Sequence, residues 1–132
     1  MYSPQVLDHF ENPRNVGELE DAEAVVRVEN PVCGDIMQLF FKIDANDSRP
    51  ISANTRIKDV RFRIRGCVTS IACASVLTEM LRGKTLREAR QLQRQKIVDA
   101  LGGLSNETMH GSYLVMDALA AALSKLPQFH RP

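Results

Sequence analysis

The spacing of apolar residues changes period at Gly66, and that change divides the chain. Upstream the alternation is two-fold. Val60, Phe62 and Ile64 alternate without a break with Asp59, Arg61, Arg63 and Arg65, which predicts a strand over 57–65 with one buried face. Met37, Leu39, Phe41 and Ile43 share one face, opposite Ile36, Gln38, Phe40 and Lys42, and predict a strand over 36–43. Ala24, Val26 and Val28, set against Val25, Arg27 and Glu29, predict a strand over 23–29. Between the second and third runs, Asp44 to Asn54 is rich in Asp, Asn, Ser and Pro and reads as a long loop.

Downstream the period is helical. Ile71, Ala74, Ser75, Thr78 and Leu81 predict a helix over 68–82, stopped at Gly83. Thr85 caps a short helix through Gln91, and Glu88 completes a capping box. Arg94 to Leu101 predicts another, stopped by Gly102-Gly103. Ser112 to Leu126 carries an apolar stripe of Val115, Leu119, Ala122, Leu123 and Leu126 and ends at Pro127. A short helix from Pro4 to Phe10 opens the chain, with Ser3 as N-cap, proline at the first helical position and Asn12-Pro13 as its end. Strands followed by helices give an α+β class: a three-stranded antiparallel sheet with helices packed on one face.

Composition narrows the functional classes. The 132 residues fit one domain over 1–132, and neither a repeat nor a linker interrupts them. A formal net charge of +1 gives no reason to expect nucleic acid or an anionic membrane as partner. The outward row of Arg61, Arg63 and Arg65 reads as a solvated strand face, because few aromatics are present to stack bases. No apolar run approaches the ~18 residues that span a bilayer, and the N-terminus has no secretory pattern. Three cysteines, an odd number, argue against a disulfide framework and fit free thiols in a reducing cytoplasm.

Two of those cysteines stand where chemistry is possible. Cys33 lies in Asn30-Pro31-Val32-Cys33-Gly34-Asp35, a turn between the first two strands. Cys67 follows Gly66 where the third strand meets a helix, and the positive end of that helix favours the thiolate that binds metal or attacks sulfur. In a meander of three strands both turns fall at one end of the sheet, so the two thiols can converge, and Asp35 can add an oxygen ligand. Cys73, inside a helical run of small residues, reads as a buried hydrophobe. Of the three histidines, His9 lies on the first helix and His130 in a proline-flanked tail. His110 lies in a loop a residue or two before the last helix, where a lone histidine is more often solvated than a ligand.

The order of these motifs resembles the IscU/NifU-type iron–sulfur cluster assembly scaffolds. Tyr2-Ser3 and Asp8-His9-Phe10-Glu11-Asn12-Pro13-Arg14-Asn15-Val16-Gly17 resemble their opening, and Asn30 to Asp35 their first ligand loop. Gly66-Cys67 with Ser70-Ile71-Ala72, Thr78-Glu79-Met80 and Gly83-Lys84 resembles the second ligand segment, and His110 with Ser112 and Asp117-Ala118-Leu119 the third. The resemblance implies a non-catalytic scaffold whose metal or cluster ligands are Cys33, Asp35, Cys67 and His110. It implies sulfur from a cysteine desulfurase, a transient 2Fe–2S cluster or zinc at the same site, and iron–sulfur acceptor proteins as partners.

Three features depart from that family. Its scaffolds carry a third cysteine directly after the histidine, where this chain has Gly111, which can neither bind metal nor accept sulfur and which is free to adopt a positive φ. The Leu-Pro-Pro-Val-Lys stretch gripped by an Hsp70-type chaperone is replaced by Leu104-Ser105-Asn106-Glu107-Thr108, which speaks against chaperone-driven release. The loop from Asp44 to Asn54 is longer than usual. Two other functions compete with the scaffold. One is a zinc-bound accessory or sulfur-relay protein of a desulfurase that builds no cluster. The other is a thiol enzyme with Cys33 or Cys67 as nucleophile and His110 as base.

Overall fold

The computed structural model describes residues 2–31, 34–44 and 51–126; Cys33, Pro127, His130 and residues 45–50 of the long loop lie outside the described residues. Strands β1 (Ala24–Glu29), β2 (Ile36–Ile43) and β3 (Ile57–Arg65) form one antiparallel sheet in the order β1-β2-β3. The two-fold alternation sets the register. Ala24, Phe41 and Val60 form one inner row across the sheet, Val26, Leu39 and Phe62 the next, and all six are buried. On the outer face Arg27, Gln38 and Arg63 line up in the same way.

The free edge of β3 is covered by the segment that follows the first helix. Gly17 N–H donates to the Phe62 carbonyl at 2.9 Å, and Phe62 N–H donates to the Asn15 carbonyl at 3.0 Å. Asn15 takes φ 62° to make that turn. This single bridge occupies the middle of the edge and interrupts the row of open backbone groups that could recruit another strand.

The helices are α1 (Pro4–Glu11), α2 (Val68–Leu81), α3 (Leu86–Gln91), α4 (Arg94–Ala100) and α5 (His110–Lys125). Their signals act as expected. Ser3 Oγ accepts from Val6 N–H, Thr85 and Glu88 form the full capping box, and Gly83, Gly102 and Gly103 take positive φ where α2 and α4 stop. Two features differ from the sequence reading. α5 begins at His110 rather than Ser112, so the histidine belongs to the helix's first turn and not to a preceding loop. α2 is also more than a one-sided stripe: ten of its fourteen residues are buried, because α1, α5 and β3 all pack against it. Its Ala72, Cys73, Ala74 and Ser75 are small enough to let those neighbours approach from several sides.

The α1–α2 contact contains a titratable group. His9 is 8% exposed, its Nδ1 lies 2.8 Å from Ser75 Oγ, and Ser75 Oγ also accepts from Arg14 N–H. Burial, helped by the nearby Arg14 guanidinium, holds the His9 pKa below its usual value, with Glu79 and Asp8 acting in the opposite direction. The folded chain therefore binds this proton less readily than the unfolded chain. The contribution to stability is complete above about pH 6.5 and is lost as pH falls below it. Urea midpoints measured between pH 7.5 and 5 should fall with pH, and the fall should be shallower in His9→Gln.

Candidate metal centre

The end of the sheet from which β2 departs and to which β3 returns carries the candidate site. Asp35 is placed by the turn into β2: Gly34 takes φ 77°, its N–H donates to the Asn30 carbonyl at 2.8 Å, and Asn30 N–H donates to the Asp35 carbonyl at 2.8 Å. Cys67 is the N-cap of α2; its carbonyl accepts from Ile71 N–H, and its side chain makes no cap hydrogen bond. The sulfur is thus left for the site, at the positive end of a fourteen-residue helix. His110 arrives on the first turn of α5.

These three side chains converge. Cys67 Sγ lies 3.2 Å from His110 Nε2, and His110 Nε2 lies 3.7 Å from Asp35 Oδ2. The ligand atoms of Asp35, Cys67 and His110 all lie within 4.8 Å of one another. His110 Nδ1 lies 3.2 Å from the Glu107 carbonyl. A carbonyl only accepts, so Nδ1 carries the proton and the lone pair of the neutral ring is on Nε2, facing the thiol and the carboxylate. That polarity separates two chemistries. A nucleophilic relay needs its carboxylate on the ring nitrogen remote from the thiol. Here Asp35 and Cys67 both face Nε2, and three donors around one point suit a cation.

A fourth side chain completes this corner. Ser70 is fully buried, its hydroxyl donates to Asp35 Oδ2 at 2.6 Å, and its Oγ lies 3.2 Å from Cys67 Sγ. The sequence reading assigned Ser70 no part in the site. The available signal was its position three residues after Cys67, which places both on one face of the first turn of α2. Cys33 lies outside the described residues. Cys73 stays apart in the core as expected: it is fully buried, and loss of solvation pushes its thiol up to about 12.

Two glycines make the corner possible. A Cβ on Gly66 would lie 2.9 Å from Asp35 Cγ, so the carboxylate rests directly on that glycine. Gly111 is buried in α5, and a Cβ there would lie 2.9 Å from Ser70 Cα and 3.0 Å from Ser70 N. The positive φ that glycine would permit at 111 is not used; the positive-φ glycines are 17, 34, 83, 102 and 103. What the position requires is the absence of a side chain, because the backbone of α2 occupies the space.

The family model described as NifU-like N terminal domain matches residues 1–131. The chain belongs to that family. Among curated relatives it is 47% identical over 123 residues to "Iron-sulfur cluster assembly scaffold protein IscU 1" of Archaeoglobus fulgidus, covering 93% of this chain and 74% of the relative. It is 38% identical over 127 residues to "Iron-sulfur cluster assembly enzyme IscU" of Drosophila melanogaster, covering 94% and 77%. Among solved structures, a putative iron–sulfur cluster assembly scaffold protein for the SUF system from Fervidobacterium islandicum superposes with a TM-score of 0.71 at 24% identity, covering 92% and 96%, and supports the fold.

Two substitutions test this packing. Gly111→Ala gains up to about 1 kcal/mol of helix propensity, but overpacking against the α2 backbone costs about 1–3 kcal/mol. A net drop in melting temperature is expected, and Gly111→Cys should drop further. Gly66→Ala meets side-chain atoms of Asp35, from Cβ to Oδ2, and no backbone, so it should still fold while displacing Asp35. Its zinc affinity, read by chelator competition, should fall about 10–100-fold, the range seen when the supports of metal ligands are disturbed.

Proposed function

We propose that this NifU-like protein is an iron–sulfur cluster assembly scaffold or carrier. Its site residues in this reading are Cys33, Asp35, Cys67 and His110, and the iron and sulfide it assembles are cargo. The observation that carries the reading is the convergence of Asp35 Oδ2, Cys67 Sγ and His110 Nε2 within 4.8 Å at the end of the sheet. The scaffold names of its relatives support it. Thiolate, imidazole and carboxylate are ligands for iron and zinc alike. Ligation of a 2Fe–2S cluster by both histidine and cysteine has precedent.

The chemistry of this chain's own residues is limited to binding. His110, with its proton held on Nδ1 by the Glu107 carbonyl, offers the Nε2 lone pair. Cys67, the N-cap of α2 with no cap hydrogen bond on its side chain, gives up its thiol proton when it binds a metal. Asp35 supplies an oxygen, a weaker ligand for a sulfide-rich cluster than thiolate, which suits cargo that must leave. The role is therefore read as non-catalytic, with a cysteine desulfurase as sulfur donor and iron–sulfur proteins as acceptors. A cytoplasmic setting fits Cys67 and Cys73 as free thiols. Among the described residues no helix is long and apolar enough to cross a membrane. An Hsp70-type chaperone is left out, because residues 104–108 lack the stretch it would grip.

One observation keeps the zinc-bound accessory as a second reading. Gly111 stands where the third thiol would be and cannot accept sulfur. Anaerobic incubation of the full chain with ferrous iron, cysteine and a cysteine desulfurase, whose persulfide sulfur takes up the electrons of the oxidised iron, separates the two. The scaffold should develop the visible absorption of a 2Fe–2S cluster and lose it to an added apo-acceptor. Tight zinc with no cluster absorption would replace the scaffold by the accessory.

A further inference from the structure

The spacing of the three ligand atoms carries information beyond their identity. For a tetrahedral zinc ion with bonds of about 2.3 Å to sulfur and about 2.0–2.2 Å to nitrogen and oxygen, neighbouring ligand atoms stand about 3.4–3.6 Å apart. The observed separations are 3.2 Å between Cys67 Sγ and His110 Nε2 and 3.7 Å between His110 Nε2 and Asp35 Oδ2. Both lie close to the spacing of ligands on one ion, and the third pair, Asp35 and Cys67, is within 4.8 Å. A 2Fe–2S cluster takes four protein ligands, two on each iron, and ligands of opposite irons lie on opposite sides of the core. Three donors this close cannot all serve one iron of such a cluster. To seat it, one of the three has to move away from the other two.

Ser70 ties two of them, Asp35 and Cys67, together. Its hydroxyl proton is committed to Asp35 Oδ2 at 2.6 Å, and its oxygen touches Cys67 Sγ at 3.2 Å. It is fully buried, and a Cβ placed on Gly111 would lie 3.1 Å from its Oγ, so α5 closes its other side. The side-chain space beside position 111, where the family's third cysteine would begin, is filled by this serine and its backbone.

We propose that Ser70 is a positioning residue that clamps Asp35 beside Cys67 and His110 at one-ion spacing. The site then takes a single divalent cation while the Ser70–Asp35 hydrogen bond is made, and a two-iron cluster only when it is broken. The second half rests on the scaffold reading; the first does not. Metal selection at this site is thus set by a hydroxyl that binds no metal. Freed of Ser70, the Asp35 carboxylate can turn away from the trio and reach a second iron.

The test compares the full natural chain with Ser70→Ala, a smaller side chain and a better helix former. Circular dichroism and thermal unfolding come first, and a variant that does not melt cooperatively assigns Ser70 to packing and overturns the proposal. Zinc affinity is then measured by competition with a chromophoric chelator, and the lifetime of anaerobically reconstituted cluster is followed in the presence of a chelator. Ser70→Ala should bind zinc about 10–100-fold more weakly yet hold cluster severalfold longer, opposite signs that a packing defect cannot produce. Zinc affinity within about threefold of the natural value overturns the clamp, as does a parallel loss of zinc and cluster. If neither protein forms cluster, the scaffold reading fails, and the zinc comparison alone still decides whether Ser70 positions Asp35.

Discussion

The close approach of α5 to α2, with Gly111 lying against the backbone of Ser70, is the contact on which the rest of the site depends. A side chain at 111 would reach Ser70 Cα at 2.9 Å, so the two helix starts can meet at this distance only through glycine. That meeting carries His110 Nε2 to 3.2 Å from Cys67 Sγ, although 43 positions separate the two residues in sequence. The sheet sets the other half of the geometry. β3 delivers Gly66 and Cys67 to the same end at which the turn into β2 begins, and the bare Gly66 backbone lets the Asp35 carboxylate lie over it.

The same contact settles the electrostatics. Asp35 is 7% exposed, and a buried carboxylate without partners is costly. Ser70 donates to one of its oxygens, and the histidine ring faces that oxygen from the other side. The Glu107 carbonyl then fixes the tautomer that leaves Nε2 open. Two cysteines on one helical segment have different fates for the same kind of reason. Cys67, at the helix N-terminus, has its sulfur aimed into a polar corner. Cys73, six residues on, is sealed among apolar neighbours, where its thiol pKa rises to about 12 and the thiolate is inaccessible at ordinary pH.

Much of the fold was legible in the sequence because strands and caps are local. The alternation over 59–65 was unbroken, and the strand predicted over 57–65 has those limits. The Thr85–Glu88 capping box and the glycine stops depend on residues a few positions apart, and all are present. The start of the last helix was less legible. A glycine at 111 reads as a loop residue when considered alone, and only its packing on Ser70 shows why a helix tolerates it in its first turn. The same omission placed His110 in a loop. For α2, periodicity identified one buried face, whereas three neighbours bury most of its circumference, and no pattern within 14 residues encodes how many neighbours arrive.

By itself, then, the sequence determined the elements, their order, the sheet's buried face and the residue types available as ligands at one end of it. Those follow from spacing along the chain and from the chemistry of cysteine, histidine and carboxylate. Only the tertiary structure decided that Asp35 and Cys67 face the same nitrogen of His110. It likewise decided that Ser70 joins them and that Gly111 is there for closeness rather than for backbone freedom. These are distances between atoms on different elements. They are set by how the helices pack against one another and the sheet, and packing is a property of the whole fold that no local stretch of residues contains.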